Sequence, residues 1–401
     1  MRRALSAPVE HLRSDGEPAA AAVLERAFLA TRNADPRELT HGFHSYPARF
    51  HPLLVRTLLA AHAERGAIVC DPFCGSGTTL VEALIAGCRG VGSDLNPLAL
   101  ELARIKAMAP TVAHARLPDE LVARATELCA ASFARVKARQ RTKTSGEKWD
   151  DPTMYAPHVF RELVGLRELI DDPPGEKLGA LLRRALLLCF SSILIKVSRQ
   201  TSETAPNVQE RAIGKGLPSR MFQRKAEELA SGLRALFDRI PPGTPNPMVY
   251  KSDARHMKHL GGDSVDLIIT SPPYLGTYDY AEHHVRRMGW LELDDGGLKE
   301  HELGSRRKAE NKKDIPEIAV AIWQGELDQT VAAMARVLRP NGSAFVVIGD
   351  SRVGKKAIQG DYALRIAAER ASLEVHALAA ELRQTGARAS EEYLIELRHK
   401  R

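Results

Sequence analysis

An apolar run, Val265-Asp266-Leu267-Ile268-Ile269-Thr270, stops abruptly at Ser271-Pro272-Pro273-Tyr274. The run is rich in β-branched residues and lies between Gly261-Gly262 and the prolines, so the pattern predicts a short buried strand. Two prolines cannot continue a central strand, because neither has an N–H to give to the ladder. The chain must leave the sheet at Ser271. In an open α/β sheet, ligands bind at the carboxyl ends of the strands. The prolines also fix φ. Ser271 and the Pro272 carbonyl then form a rigid pair of hydrogen-bond acceptors beside the ring of Tyr274, which suits a planar group bearing an NH2. A strand followed by an ordinary Pro-Pro turn accounts for the same residues.

A second stretch favours the ligand-binding reading. Ile68-Val69-Cys70-Asp71-Pro72-Phe73-Cys74-Gly75-Ser76-Gly77-Thr78-Thr79-Leu80 reads as strand, glycine-rich turn and helix start. Glycine lets backbone approach a ligand closely, and Thr78 or Thr79 is placed to cap the helix. Val91-Gly92-Ser93-Asp94 ends the next strand. Asp94 stands about 20 residues past the glycines, the usual position of an acid that accepts from ribose hydroxyls. No lysine follows Gly77, so the turn is not a Walker loop, and the third glycine of the dinucleotide fingerprint is missing.

With both stretches in place, the chain resembles the amino-methyltransferases that use S-adenosylmethionine to methylate exocyclic amines of DNA bases. Asp71–Thr79 is similar to their cofactor loop and Thr270–Tyr274 to their catalytic loop. His44-Ser45-Tyr46-Pro47-Ala48-Arg49-Phe50-His51-Pro52 is similar to the segment preceding the cofactor loop in many cytosine-N4 members. The resemblance covers residues 40–110 and 248–400. It implies a Rossmann-like methyltransferase fold of the α/β class: a mostly parallel sheet with one antiparallel edge strand, interrupted here by a helical insertion. It implies S-adenosylmethionine as cofactor, held by Tyr46, Asp71, Phe73, Gly75, Gly77, Thr78, Asp94 and Asp253, the last on the adenine amine. Asp253 reads equally as a turn or N-cap acid, and the Tyr46 segment as a cap for the helix that follows it. Ser271, Pro272, Pro273 and Tyr274 become the catalytic residues, with Tyr274 stacked on a flipped base. Double-stranded DNA is the implied partner, with a cognate restriction endonuclease where the protein serves restriction-modification. Serine before the two prolines, together with the His44–Phe50 segment, points to N4-methylcytosine as product. N6-methyladenine is the alternative, an RNA substrate is a rival, and a DNA-binding protein without catalysis is the reading from another class.

Composition fits these expectations. With 401 residues the chain can bury a large core. Its net charge of +7 suits a nucleic-acid partner. Cys70, Cys74, Cys88, Cys129 and Cys189 form no Cys-x-x-Cys pair, so no zinc site or disulfide framework is expected, and a reducing, cytoplasmic location fits. The apolar stretch Ala185–Ile195 is too short to span a membrane. Residues 1–110 and 248–401 are expected to form the catalytic domain. Residues 111–247 carry four helical patterns, at 118–140, 158–170, 177–198 and 219–239, joined by basic stretches. Charge runs of this kind are often solvated faces, but Lys196, Arg199, Arg211, Lys215 and Arg220 also suit phosphate contacts that position a protein on DNA. The insertion is therefore the expected target-recognition region, and its long polar loop 201–219 the segment expected to approach the bases. Residues 1–16 read as a flexible tail, and 292–315, with Arg306-Arg307-Lys308 and Lys312-Lys313, as a mobile surface loop near DNA.

Overall fold

Strand alternation decides how the sheet is covered. Leu267 and Ile269 enter one apolar cluster, with Leu54, Leu58, Phe345 and Val347. Val265 and Ile268 enter another, with Trp323, Leu327, Ala344 and Val346. Both faces of these strands are therefore buried, which is the condition for a parallel sheet. The computed structural model describes residues 7–138, 142–200, 202, 209, 211–277, 279–305, 315–385 and 388–400.

In chain order the elements are β1 (Ala7–Gly16), α1 (Pro18–Thr31), α2 (Pro52–His62), β2 (Ile68–Asp71), α3 (Thr78–Ile85), β3 (Arg89–Asp94) and α4 (Pro97–Lys106). The inserted helices follow: α5 (Leu117–Lys137), α6 (Pro157–Asp171), α7 (Ala180–Val197) and α8 (Leu217–Phe237). The second half has β4 (Met248–Lys251), β5 (Val265–Thr270), α9 (Tyr280–Leu291), α10 (Leu298–His301), α11 (Pro316–Val337) and β6 (Leu338–Gly349). A small hairpin, β7 (Ser351–Val353) and β8 (Lys356–Ile358), precedes α12 (Gly360–Arg370), β9 (Leu373–Thr385) and β10 (Arg388–His399).

The main sheet runs β1-β9-β10-β6-β5-β2-β3-β4. Strands β6, β5, β2, β3 and β4 pair in parallel. The chain winds outward from β2 to β4, then crosses back to place β5 on the other side of β2. Such a reversal opens a crevice at the carboxyl ends of the strands. The antiparallel strand expected at the edge is instead internal: β10 lies between β6 and β9. The edge is taken by β1, which pairs antiparallel with β9 in the stretch read as a flexible tail. That strand has almost no apolar pattern. It is fixed from outside, by the pairing with β9 and by Arg13, whose guanidinium meets Glu391 at 3.0 Å. Covering β9 also hides a sheet edge that would otherwise stay unpaired.

The four inserted helices fall where the periodicity put them. They do not form a separate core. Leu121, Leu163, Leu186 and Phe222 pack with Leu98 and Leu102 of α4 and with Trp290 of α9 in one cluster. Asp150 fastens this junction, receiving Tyr155 Oη at 2.8 Å, Arg286 at 2.7 Å and Trp290 Nε1 at 3.0 Å. Outside the described residues lie Arg139–Arg141, residues 201, 203–208 and 210 of the polar loop, Tyr278, Arg306–Lys308 and Lys312-Lys313. Among the described residues no helix is long and apolar enough to cross a membrane.

Candidate active site

Asp71, the last residue of β2, sets the geometry of the crevice. One carboxylate oxygen accepts from Thr79 Oγ1 at 2.7 Å; the other accepts from Thr270 Oγ1 at 2.7 Å and from Phe73 N at 3.1 Å. A single buried side chain thus ties the start of α3 to the end of β5. Burial raises its pKa to about 6, against the pull of the Thr79 and Thr270 hydrogen bonds. Thr79 is consequently not a helix cap. Gly77 occupies the N-cap, at φ +86°, and no side chain caps α3. A Cβ on Gly77 would also lie 3.0 Å from Ala103 Cα, so this turn accepts only glycine at that position.

Asp94 closes the next strand. It accepts from Asn96 N at 2.8 Å and from Gly75 N at 3.0 Å. Burial raises its pKa to about 6, against the hydrogen bonds from Asn96 and Gly75. Each oxygen keeps a second acceptor position. Asp253, beyond β4, is a turn acid that accepts from Arg255 N at 2.9 Å and pairs with the Arg255 guanidinium at 2.6 Å. Tyr46 stacks on the buried His284, ring centroids 4.9 Å apart, and His284 Nδ1 lies 2.9 Å from Asn96 Nδ2. Because Asn96 Oδ1 accepts from Leu98 N, its amide NH2 is the group facing His284, so Nδ1 accepts.

The Ser-Pro-Pro-Tyr loop leaves β5 beside these groups. Trp323 Nε1 donates to the Pro273 carbonyl at 3.2 Å. Gly304 presses against the loop next to Trp323: a Cβ there would meet the Pro273 carbonyl oxygen at 3.0 Å and Trp323 Cδ1 at 3.4 Å. Part of the stretch expected to be a mobile surface loop is therefore packed, with Leu298 and Leu303 buried. Its charged, glycine-rich composition concealed this.

These elements line a cleft of about 900 Å³ of empty space, a volume that includes the open solvent at its mouth. Of the residues singled out in the sequence, Tyr46, Asp71, Phe73, Gly75, Thr78, Asp94, Asp253, Ser271 and Pro273 line it. Gly77, Pro272 and Tyr274 stand outside its wall. The Tyr274 ring lies over Gly349, where a Cβ would come within 2.9 Å of its Cε2, and its hydroxyl faces Glu392 at 3.4 Å. The wall also includes Arg49, Ser76, Asn96, Arg255 and Leu303, which sequence reasoning did not pick out as ligand contacts. The basic candidates of the insertion lie elsewhere. Arg199 donates to the Thr153 carbonyl and Arg211 to the Ser198 carbonyl, while Lys196, Lys215 and Arg220 are exposed.

A family described as DNA methylase matches residues 22–104, which hold the Tyr46 segment, the glycine loop and Asp94. The Type II methyltransferase M.MjaII of Methanocaldococcus jannaschii is 22% identical over 393 residues, covering 78% of this chain and 72% of that protein. The Type II methyltransferase M.BsoBI of Geobacillus stearothermophilus is 21% identical over 295 residues, covering 68% of this chain and 56% of that protein. The chain is thus similar to the DNA amino-methyltransferase family. A solved S-adenosylmethionine-dependent methyltransferase from Methanosarcina mazei aligns with 89% of this chain and 98% of its own, at 9% identity and a TM-score of 0.33.

S-adenosylmethionine is the cofactor that these similarities support. The groups lining the cleft suit it. The Asp94 oxygens offer acceptors for a diol, and Phe73 and Tyr46 provide ring surface. A Cβ on Gly75 would come within 3.1 Å of the Tyr46 ring, so only a bare backbone leaves this passage open.

Proposed function

We propose that this protein transfers a methyl group from S-adenosylmethionine to the exocyclic N4 amine of a cytosine flipped out of double-stranded DNA. The supporting observation is the shared cleft: Ser271 and Pro273 of the acceptor loop line the same cavity as Gly75 and Asp94. When bound, the cofactor supplies an electrophilic methyl on a sulfonium. The residues supply position. An exocyclic amine is a poor nucleophile, because its lone pair is delocalised into the ring. The Ser271 hydroxyl, on the cleft wall, holds one of its hydrogens, and the Pro272 carbonyl, outside that wall, takes the other once the base is seated; together they favour a more tetrahedral nitrogen. Trp323 and Gly304 keep that loop fixed, so orientation carries much of the catalysis. No covalent enzyme intermediate is needed. Duplex DNA must surrender the base, hence the flip. Tyr274 stacks on that base only after leaving Gly349.

In the same proposal, residues 111–247 recognise the target, with Lys196, Arg199, Arg211, Lys215 and Arg220 on phosphates, and a cognate restriction endonuclease is the partner. Serine rather than aspartate or asparagine before the prolines supports cytosine. The test is labelled-methyl transfer to duplex DNA and to tRNA, followed by digestion to nucleosides and mass spectrometry. N4-methylcytosine in DNA is the expected product. N6-methyladenine overturns the base assignment, and label in tRNA alone overturns the substrate.

A further inference from the structure

We propose that the β7–β8 hairpin grips the DNA backbone on the acceptor side of the cleft, with Arg352 and Lys355 on phosphates beside the flipped base. This rests on the DNA substrate proposed above and adds a contact outside residues 111–247. The geometry starts from β6. It pairs in parallel with β5, and Thr270, the last residue of β5, stands opposite Val346. There the chain of β5 leaves the sheet, but β6 runs on to Gly349. At roughly 3.3 Å per residue, it rises about 10 Å past the last rung of β5. The Tyr274 ring lies against Gly349. The hairpin that follows therefore stands on the carboxyl rim of the sheet, next to the acceptor loop. In the sheet order β6-β5-β2-β3-β4, the insertion joins at the β3–β4 end and the hairpin at the β6 end. Ser271, at the end of β5, lies between them.

Local chemistry makes the hairpin a rigid mount. Val353 pairs with Lys356, so Gly354 and Lys355 form a two-residue turn. Gly354 stands at φ +56°, a conformation that favours glycine at the first position of such a turn. A lone two-stranded hairpin is marginal in water. This one is rooted by Val353 and Ile358, buried in the cluster that holds Trp323, the donor to the Pro273 carbonyl. Root and acceptor loop thus share their packing. Strand alternation turns Arg352 away from the root, opposite Ala357, whose methyl group is too short to cover it. Lys355 occupies the turn, and both side chains are exposed. Among the described residues, neither meets a carboxylate. The acids of the neighbouring elements are already engaged. Glu317 pairs with Lys356 at 3.3 Å, Asp361 with Arg365 at 4.0 Å, Glu391 with Arg13 at 3.0 Å and Glu392 with Arg383 at 2.8 Å. Asp350 accepts from Gly360 N at 3.1 Å. Two uncompensated cations therefore project beside the place where a base must leave its duplex. A guanidinium fork fits a phosphate bidentately, and an ammonium meets one as a point charge.

The test reads counterion release. Binding of a mixed-sequence DNA duplex to the full chain is measured by fluorescence anisotropy across a salt series, beside labelled-methyl transfer to plasmid DNA and to tRNA. Replacing Arg352 and Lys355 together with alanine should weaken binding and flatten the slope of log affinity against log salt by about 1.8, that is, about 0.9 for each phosphate. Thermal melting and S-adenosylhomocysteine affinity should stay at the wild-type level. Arg352→Lys with Lys355→Arg keeps both charges and should keep the wild-type slope. An unchanged slope in the alanine variant makes the hairpin a solvated face and overturns the grip. An equal loss of slope in the charge-keeping variant overturns it as well, because phosphate contacts depend on charge. Where the wild type methylates plasmid DNA, either result leaves the substrate reading standing. Label in tRNA and none in plasmid DNA overturns the substrate reading, and the grip with it.

Discussion

Asp94→Asn tests the cofactor site at its most defined point. The wild-type carboxylate spends one acceptor position on Asn96 N, at 2.8 Å, and one on Gly75 N, at 3.0 Å. The two remaining positions are the ones assigned to the ribose hydroxyls. An amide keeps one oxygen and presents an NH2 in place of the other, so one hydroxyl loses its acceptor. A hydrogen bond to a charged group is worth about 1.5–3 kcal/mol, so affinity should fall about 10- to 150-fold. The pH profile adds a second, independent signature. Burial lifts the Asp94 pKa to about 6, against the N–H groups of Asn96 and Gly75. Ribose hydroxyls bind the ionised form, so wild-type affinity should be level above pH 7 and fall about tenfold per unit below pH 6, about 1.4 kcal/mol for each unit. Stability of the empty protein should move the other way. A carboxyl whose folded pKa is raised holds its proton more tightly when folded, so its contribution is fully present below the unfolded value and lost as pH rises through about 6. Asp71, also lifted to about 6 by burial, adds to this trend. Calorimetric titration with S-adenosylhomocysteine from pH 5 to pH 8, beside thermal melts of the empty protein, measures both. Wild-type affinity in Asp94→Asn, or wild-type binding that ignores pH below 6, refutes the ribose assignment.

Ser271→Ala is expected to remove most methyl transfer while S-adenosylhomocysteine affinity stays at the wild-type level, read by labelled-methyl transfer and calorimetry. Replacing Arg211, Lys215 and Arg220 together with alanine should weaken DNA binding and flatten its dependence on salt, by about 0.9 in the logarithmic slope for each phosphate that is no longer neutralised. An unchanged slope makes these charges a solvated face. Asp150→Ala strands the Tyr155, Arg286 and Trp290 donors in the core and should destabilise the protein by about 3 kcal/mol or more in urea unfolding. Because Trp290 and the insertion share one cluster, loss of structure should occur in a single transition; a separate early transition for the insertion argues against a common core.

Much of this architecture was legible because its signals are local. The strands β2, β3 and β5 are short apolar runs stopped by glycine, aspartate or proline, and the helices of the insertion carry a clear period. The loops at the ends of β2, β3 and β5 also announced themselves through residue types that need special backbone. What stayed hidden is long-range. β1 has almost no apolar pattern and exists because β9 offers an edge. Arg339-Pro340-Asn341-Gly342 reads as a turn, yet β6 runs through it, and the pairing with β5 jumps from Val265↔Leu338 to Leu267↔Ser343. Leu298 and Leu303 sit among charges and glycines, so their burial against the cleft had no period to reveal it. Nothing in the sequence singles out Lys106, the last residue of α4. Only tertiary structure shows that it is buried behind Ser76.

The chemistry proposed here depends on distance more than on reactivity, because the acceptor loop only places a nitrogen. That distance spans two segments far apart in sequence: Thr270 follows Asp71 by 199 residues. The helical insertion lies between them, so chain connectivity cannot set the spacing. The sheet sets it. β2 and β5 are neighbours, and Asp71 bonds Thr79 on the cofactor side and Thr270 on the acceptor side with one carboxylate. The insertion branches off beyond α4 and returns at β4, on the outer side of β3, so it does not part β2 from β5. Its contact with the acceptor side runs instead through α9, where Trp290 and Arg286 meet Asp150. A DNA-dependent shift in the insertion would therefore reach the segment after Tyr274, while the Asp71 clasp holds cofactor loop and acceptor loop at constant separation.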